Sequence, residues 1–208
     1  MFCGMINILS MEMMHMHEYD TPKHETRTIG TVRLRAVEPD DLPLLKQWRN
    51  QFKHFYREYR FINDPHQENW YKGTVGDSRN IYYAIDVWDC KWWLVGQCAW
   101  SNIDWVYRHV ELGIYIGEDD WRGKGVGLKA MIELHRIAFH EFGMATVRLE
   151  VLSFNPAVKF YEKFGYKEVG RYRQADLFQG EYHDSILMDM TKDEWHDRYS
   201  KTQLEVSK

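Results

Sequence analysis

Between Trp121 and Met131 the chain reads WRGKGVGLKAM, with Gly123, Gly125 and Gly127 at alternate positions and Arg122 and Lys124 among them. The preceding run, HVELGIYIG, alternates as a strand does. Val110, Leu112, Ile114 and Ile116 share one face, and His109, Glu111, Gly113 and Tyr115 share the other. After the glycines, Ala130, Met131, Leu134, Ile137 and Ala138 recur at helical spacing, with Lys129, Glu133, Arg136 and His140 on the opposite face. A strand that turns through glycines into a helix collects backbone N–H groups at the helix's positive end, where an anion docks. Glycines let the backbone approach that anion without a Cβ between them. The bland alternative is a turn that only joins strand to helix.

The spacing separates the phosphate-binding designs. A P-loop requires GxxxxGK[ST], but Lys124 stands between glycines with no Ser or Thr after it. The dinucleotide fingerprint GxGxxG requires its third glycine one residue later, and a parallel βαβ unit around it. The remaining design is strand, [R/Q]-x-x-G-x-[G/A], helix, which Arg122 to Gly127 satisfies.

Upstream, TVRLRAV alternates as a strand from Thr31, and EPDDLPLLKQWRN starts as a helix with Leu42, Leu45 and Trp48 on one face. Asp64-Pro65-His66-Gln67 marks a second helix start, with Asp64 as its cap. IYYAIDVW (81–88), WWLVGQCAWSNI and HVELGIYIG then form an antiparallel meander. Downstream come the strand ATVRLEVL and a short helix from Asn155-Pro156 through Tyr161 to Gly165. The strands YKEVGRYRQA and EYHDSILMDM follow, joined by a Gln-Gly turn. The pattern predicts an α+β fold with a mixed, mostly antiparallel sheet. The expected organisation is an extension over 1–28, one domain over 29–195, and an exposed tail over 196–208.

Composition narrows the function classes. A net charge of −4 gives no electrostatic case for nucleic acid, and an aromatic share of 15% fits a packed core. Three cysteines form neither a metal-ligand spacing nor an even disulfide set. His15, His17 and His24 lack companion ligands, so no metal is expected. The apolar start MFCGMINILSM lacks the basic opening and cleavage site of a signal peptide, and no apolar run reaches the ~20 residues of a membrane span. The expected place is the cytoplasm, with no membrane partner.

HVELGIYIGEDDWRGKGVGLKAM together with RLEVLSFNPAVKFYEKFGY resembles the GNAT superfamily of acyl-CoA-dependent N-acetyltransferases. VRLRAVEPDDLPLLKQWRN, NIDW and GEYHDSILMDMTKDEW resemble its RimJ/RimL-like branch, so the likeness runs from about Thr31 to Trp195. The resemblance implies a sheet splayed into a V beside the strand that precedes the loop. It places the pantetheine arm of acetyl-CoA along Tyr115 and Ile116, and the pyrophosphate at Arg122, Gly123, Lys124, Gly125, Val126 and Gly127. It also implies a cofactor contact from Asn155, which by position is a helix cap as well. Lys159 and Lys163 either meet the 3′-phosphate or form a solvated face.

The implied chemistry is acetyl transfer to a primary amine: a protein N-terminus, a polyamine, an aminoglycoside or an amino sugar. Tyr161 corresponds to the family's general acid on the CoA sulfur, and a phenol with its ordinary pKa near ~10 stays protonated at neutral pH. A backbone N–H at the splay is expected to stabilise the developing oxyanion. The base is Glu150, Glu111 or a water, with His109 and His183 chemically capable. Acceptor specificity is expected in FKHFYREYRFI, NIDWVYRH and RYRQADLFQGEYHD. Tyr56, Arg57, Tyr59 and Arg60 either face an anionic ligand or form a solvated edge, and Trp105 is a further acceptor-side candidate. A homodimer is common among such relatives. A non-catalytic acyl-CoA sensor with the same fold is the alternative.

Overall fold

The computed structural model describes residues 30–56, 60–74 and 76–203. The expected extension over 1–28 therefore lies outside the described residues. Among the described residues seven strands form one sheet in the order β1-β2-β3-β4-β5-β7-β6. β1 (Val32–Ala36), β2 (Ile81–Asp89), β3 (Lys91–Asp104) and β4 (His109–Ile116) form an antiparallel half, as the alternation predicts. β5 (Thr146–Leu152), β6 (Lys167–Phe178) and β7 (Glu181–Thr191) form a second antiparallel group, with β7 inserted between its partners. The mixed, mostly antiparallel α+β architecture is the one expected.

Alternation along the strands sends two sets of side chains to two helical layers. On one face, Val110, Leu112, Val147, Leu149 and Val151 pack with Ala130, Met131 and Leu134 of α3 (Val126–Arg136). Helix α4 (Ala157–Phe164) adds Tyr161 and Phe164 to this core. On the other face, Leu42, Leu45 and Trp48 of α1 (Leu42–Gln51) pack against Ala84, with Tyr82 and Tyr115 at the margin. Burying that α1 stripe contributes roughly 1.5–3 kcal/mol per large apolar side chain.

Two local details differ from the sequence expectation. Asn63, not Asp64, caps α2 (Asp64–Thr74): its Oδ1 accepts the His66 N–H at 3.0 Å. The residue three positions ahead of the receiving N–H must be the cap, and Asp64 instead forms an ion pair with Lys46. The chain also does not run out into a tail after residue 195. Residues Lys192–Gln203 form α5, in which Trp195 is 1% exposed and stacks on Tyr199 with ring centroids 4.3 Å apart. The Tyr199 hydroxyl donates to the carbonyl of Phe164 at 2.8 Å, locking α5 onto α4. One aromatic pair in an otherwise polar helix suffices to dock it.

At the centre of the larger core lies His135, fully buried among aromatic rings. Its Nδ1 faces the Met131 carbonyl at 2.7 Å, which can only accept, so Nδ1 carries the proton. Nε2 is then bare and accepts the Tyr166 hydroxyl at 2.6 Å. Burial pushes the imidazole pKa down to about 3 from an ordinary 6.5. Because the folded value is depressed, this stability is present above about pH 6.5 and lost as pH falls towards 3. Between those limits, His135 is expected to reduce unfolding free energy by up to about 1.4 kcal/mol per pH unit. Urea midpoints at pH 7 and pH 5, compared with His135→Gln, measure it. An equal pH slope in the variant would contradict the assignment.

Among the described residues no helix is long and apolar enough to cross a membrane. No cluster of His, Cys, Asp and Glu there has the geometry to hold a metal ion.

Candidate active site

Strands β4 and β5 are parallel and pair only at His109–Thr146, Val110–Val147 and Glu111–Arg148. Beyond that point Leu112–Ile116 and Leu149–Leu152 share no pairing, so the sheet opens into a V between them. The glycine loop crosses the open end. Gly125 caps α3 with φ +80°, a left-handed conformation that suits glycine, and no side chain caps the helix. Among the described residues, the N–H groups from Gly123 to Leu128 donate to no backbone acceptor. The next one in sequence, that of Lys129, donates to Gly125. A Cβ at Gly127 would stand 3.8 Å from Phe160 and 3.9 Å from Ile116, which places this glycine in the gap between α4 and the end of β4. Unused amide donors at a helix N-terminus, with no side chain over them, fit the pyrophosphate of acetyl-CoA.

The cations of the loop divide by task. The Arg122 guanidinium donates to the carbonyls of Ile116 (2.8 Å) and Gly117 (3.2 Å) and pairs with Asp119 at 2.6 Å. It also stacks 4.4 Å over Phe52. Arg122 therefore fastens the loop to the end of β4, and its charge is already balanced by Asp119. Lys124 lies 5.8 Å over the Trp121 ring, with no ion pair among the described residues. Across the V, Asn155 Oδ1 accepts the Ala157 N–H at 2.9 Å, so the side chain caps α4 as its position predicts. Its Nδ2 has no protein acceptor among the described residues and remains a donor. Lys159 and Lys163 are exposed on α4.

Tyr161 is 8% exposed, and burial pushes its phenol pKa up to about 12. Its ring packs edge-on to Tyr166, 5.9 Å away, and its hydroxyl has no hydrogen-bond partner among the described residues. It is thus a phenol held neutral over the physiological range. Glu111 and Glu150 lie on the sheet face opposite α3, on the two strands that diverge. Glu111 accepts from Asn102 Nδ2 at 2.7 Å, and Glu150 accepts from Ser185 Oγ at 2.6 Å. His183 is enclosed by Phe154 and Phe178. His109 sits where β4 and β5 first pair, at the closed end of the V.

Two of the three acceptor-side segments do meet. His54 and Phe55, beyond α1, contact Phe178 and Phe154 respectively, so the α1–α2 connection touches the β6–β7 hairpin. Arg57, Tyr59 and the side chain of Tyr56 lie outside the described residues, and Arg60 is exposed. Trp105 is placed elsewhere: its Nε1 donates to the Ser78 carbonyl at 2.8 Å and its ring packs on Phe142, near the closed end of the V.

Sequence reasoning missed a cavity of 240 Å³ between β3–β4 and the α1–α2 layer. Arg49, Trp70, Tyr82, Gln97, Gly113 and Tyr115 line it. Gln97 is 6% exposed; its Oε1 accepts the Tyr115 hydroxyl at 3.2 Å, and its Nε2 has no partner among the described residues. Burial pushes the Tyr115 phenol well up, while the Arg49 charge pulls against it. The available signal was a glutamine inside the apolar run WWLVGQCAW.

An open V in a mostly antiparallel sheet, bounded by a glycine loop and a helix N-terminus, is the geometry expected of an acyl-CoA-dependent transferase. Residues 31–167 match the acetyltransferase (GNAT) domain, and the chain belongs to that family. It is an acetyltransferase enzyme by that membership and by its relatives. It is similar to the SPbeta prophage-derived uncharacterized N-acetyltransferase YokL of Bacillus subtilis, 25% identical over 175 residues (78% of this chain, 90% of that protein). The putative ribosomal N-acetyltransferase YdaF of the same organism is 25% identical over 173 residues, 79% of this chain and 93% of that one. Among solved structures, the fold resembles spermidine N-acetyltransferase from Vibrio cholerae in complex with CoA and spermine. The TM-score is 0.73 at 23% identity, over 79% of this chain and 97% of that chain.

If the cradle works through its backbone, Gly125→Val places a β-branched residue at φ +80°, at a cost of about 1–3 kcal/mol in the loop. The dissociation constant for CoA, measured by calorimetry, is expected to rise tenfold or more, with a smaller change in kcat at saturating acetyl-CoA. Unchanged CoA affinity would contradict a backbone cradle.

Proposed function

We propose that this chain moves the acetyl group of acetyl-CoA to a primary amine by direct attack in a ternary complex. The observation that carries this reading is the V between β4 and β5, with unpartnered amide donors from Gly123 to Leu128 at its open end. Acetyl-CoA supplies an activated thioester. The loop amides and Lys124 bind its pyrophosphate, while Arg122 holds the loop against β4. The backbone at Tyr115 and Ile116 and the Asn155 amide hold the rest from the two sides, with Lys163 near the 3′-phosphate. Tyr161, neutral and buried, donates the proton that the departing thiolate takes up. Glu111 or Glu150, exposed on the acceptor face, accepts the amine's proton directly or through water.

The acceptor is a small amine or a protein N-terminus, and the chain's opening and closing motifs support a RimJ/RimL-like branch. The Vibrio cholerae structure, which holds spermine, brings polyamines into the set. Exposed Val169, Tyr172 and Leu177 on the outermost strand β6 support a homodimer. Acetyl-CoA-dependent thiol release against a panel of amines and N-terminal peptides tests the reading. Release with one amine class is the expected result. Tight CoA binding without release on any acceptor would instead make the chain a sensor.

A further inference from the structure

The cavity beside β4 names an acceptor chemistry that the cofactor site does not. Its charged lining group is Arg49, half-buried on α1, with its guanidinium 5.6 Å over the Trp70 ring. Arg49 forms no ion pair among the described residues. Among the described residues no Asp or Glu lines the cavity. Of the carboxylates on this sheet face, Glu111 and Glu150 already accept hydrogen bonds from Asn102 and Ser185, and Asp86 is paired with Arg33 and Arg35. In the same cavity, Gln97 turns its carbonyl to Tyr115 and leaves Nε2 as a buried donor without an acceptor among the described residues. A guanidinium and a bare amide N–H both call for oxygen lone pairs, and burial makes leaving them empty costly. The walls are aromatic, with Trp70 edge-on to Tyr82 at 4.9 Å. A polyamine brings no oxygen lone pairs for either of these donors.

We propose that the acceptor is a small amine that also carries an oxyanion, a carboxylate or a phosphate, seated between Arg49 and Gln97. This rests on the acetyltransferase reading above and names its substrate class. At 240 Å³ the cavity lies below the ~300–1,000 Å³ of drug-sized sites, so the acceptor is metabolite-sized. Its amine points to the strand edge at Gly113 and Tyr115, and its anion points to α1.

The test uses matched pairs of amines in the thiol-release assay, on the full chain with saturating acetyl-CoA. One arm compares amino acids with their decarboxylated amines, another compares amino-sugar phosphates with the free amino sugars, and spermidine is included as a polycation. The expected result is a kcat/KM ratio, anionic over neutral partner, of roughly tenfold or more in at least one arm, set mainly by KM. Whichever arm shows it distinguishes carboxylate from phosphate. Arg49→Gln should bring that ratio towards one, Arg49→Lys should restore part of it, and Gln97→Leu should lower it with normal CoA binding. Release with neutral amines or spermidine at a ratio of one or below overturns the oxyanion proposal and leaves the acetyltransferase reading standing. A ratio unmoved by Arg49→Gln overturns the seat between Arg49 and Gln97. No release with any amine, despite CoA binding, overturns the acetyltransferase reading itself.

Discussion

Replacing Tyr161 with Phe is expected to lower kcat by roughly 10²–10⁴-fold, the usual worth of a positioned general acid. The dissociation constant for CoA should change little, because the phenyl ring retains the packing against Tyr166 and Phe160 and the loop is untouched. Loss confined to kcat assigns the hydroxyl to the reaction, whereas equal loss of turnover and CoA affinity would make it a binding or packing group. The pH profile supplies a second check. Burial raises the Tyr161 pKa to about 12, so the proton-donating form persists well above neutrality. Activity should therefore rise with pH as the acceptor amine loses its proton, with no falling limb from Tyr161 below about pH 11. A falling limb near pH 9 that disappears in Tyr161→Phe would contradict the buried, neutral phenol.

The second large effect is on stability. Trp195→Ala is expected to cost about 3–5 kcal/mol, as large-to-small changes of buried aromatic residues do. Trp195 is 1% exposed and stacks on His135, Phe164 and Tyr199, so its removal leaves a cavity beneath both α4 and α5. For a chain of this size the thermal midpoint should fall by roughly 6–20 °C. A fall of under 2 °C would mean that α5 is dispensable. Since α4 carries Tyr161, kcat measured well below the midpoint should also soften, while CoA affinity at the α3 loop should be less affected.

Those two residues also show where sequence is a good guide and where it is not. The loop, the meander and the stripe Leu42, Leu45, Trp48 were legible because spacing alone specifies which faces are buried. Asn155 was legible as a cap because Asn-Pro before an apolar helix has a local mechanism. Burial of α5 was not, since Trp195 and Tyr199 are one i, i+4 pair on a helix otherwise written in charges. Arg122 shows a different limit. A cation in an anion-binding loop reads the same whether it meets the ligand or its own backbone. The bonds from Arg122 to the carbonyls of Ile116 and Gly117 become visible only when the fold brings them within reach. Likewise Arg49 is one residue beyond Trp48 and off the apolar face, and Gln97 is one polar residue in an apolar strand. They become a site only when α1 is laid across β3 and β4.

Direct transfer between two bound substrates is the central claim, and product analysis tests it most directly. With acetyl-CoA and an amine that supports thiol release, mass spectrometry of both small molecule and intact protein should show acetylated amine and unmodified protein. Initial-velocity lines should intersect as one substrate is varied against the other. Acetylated protein that hands its acetyl group to amine added later, with parallel velocity lines, would contradict the account.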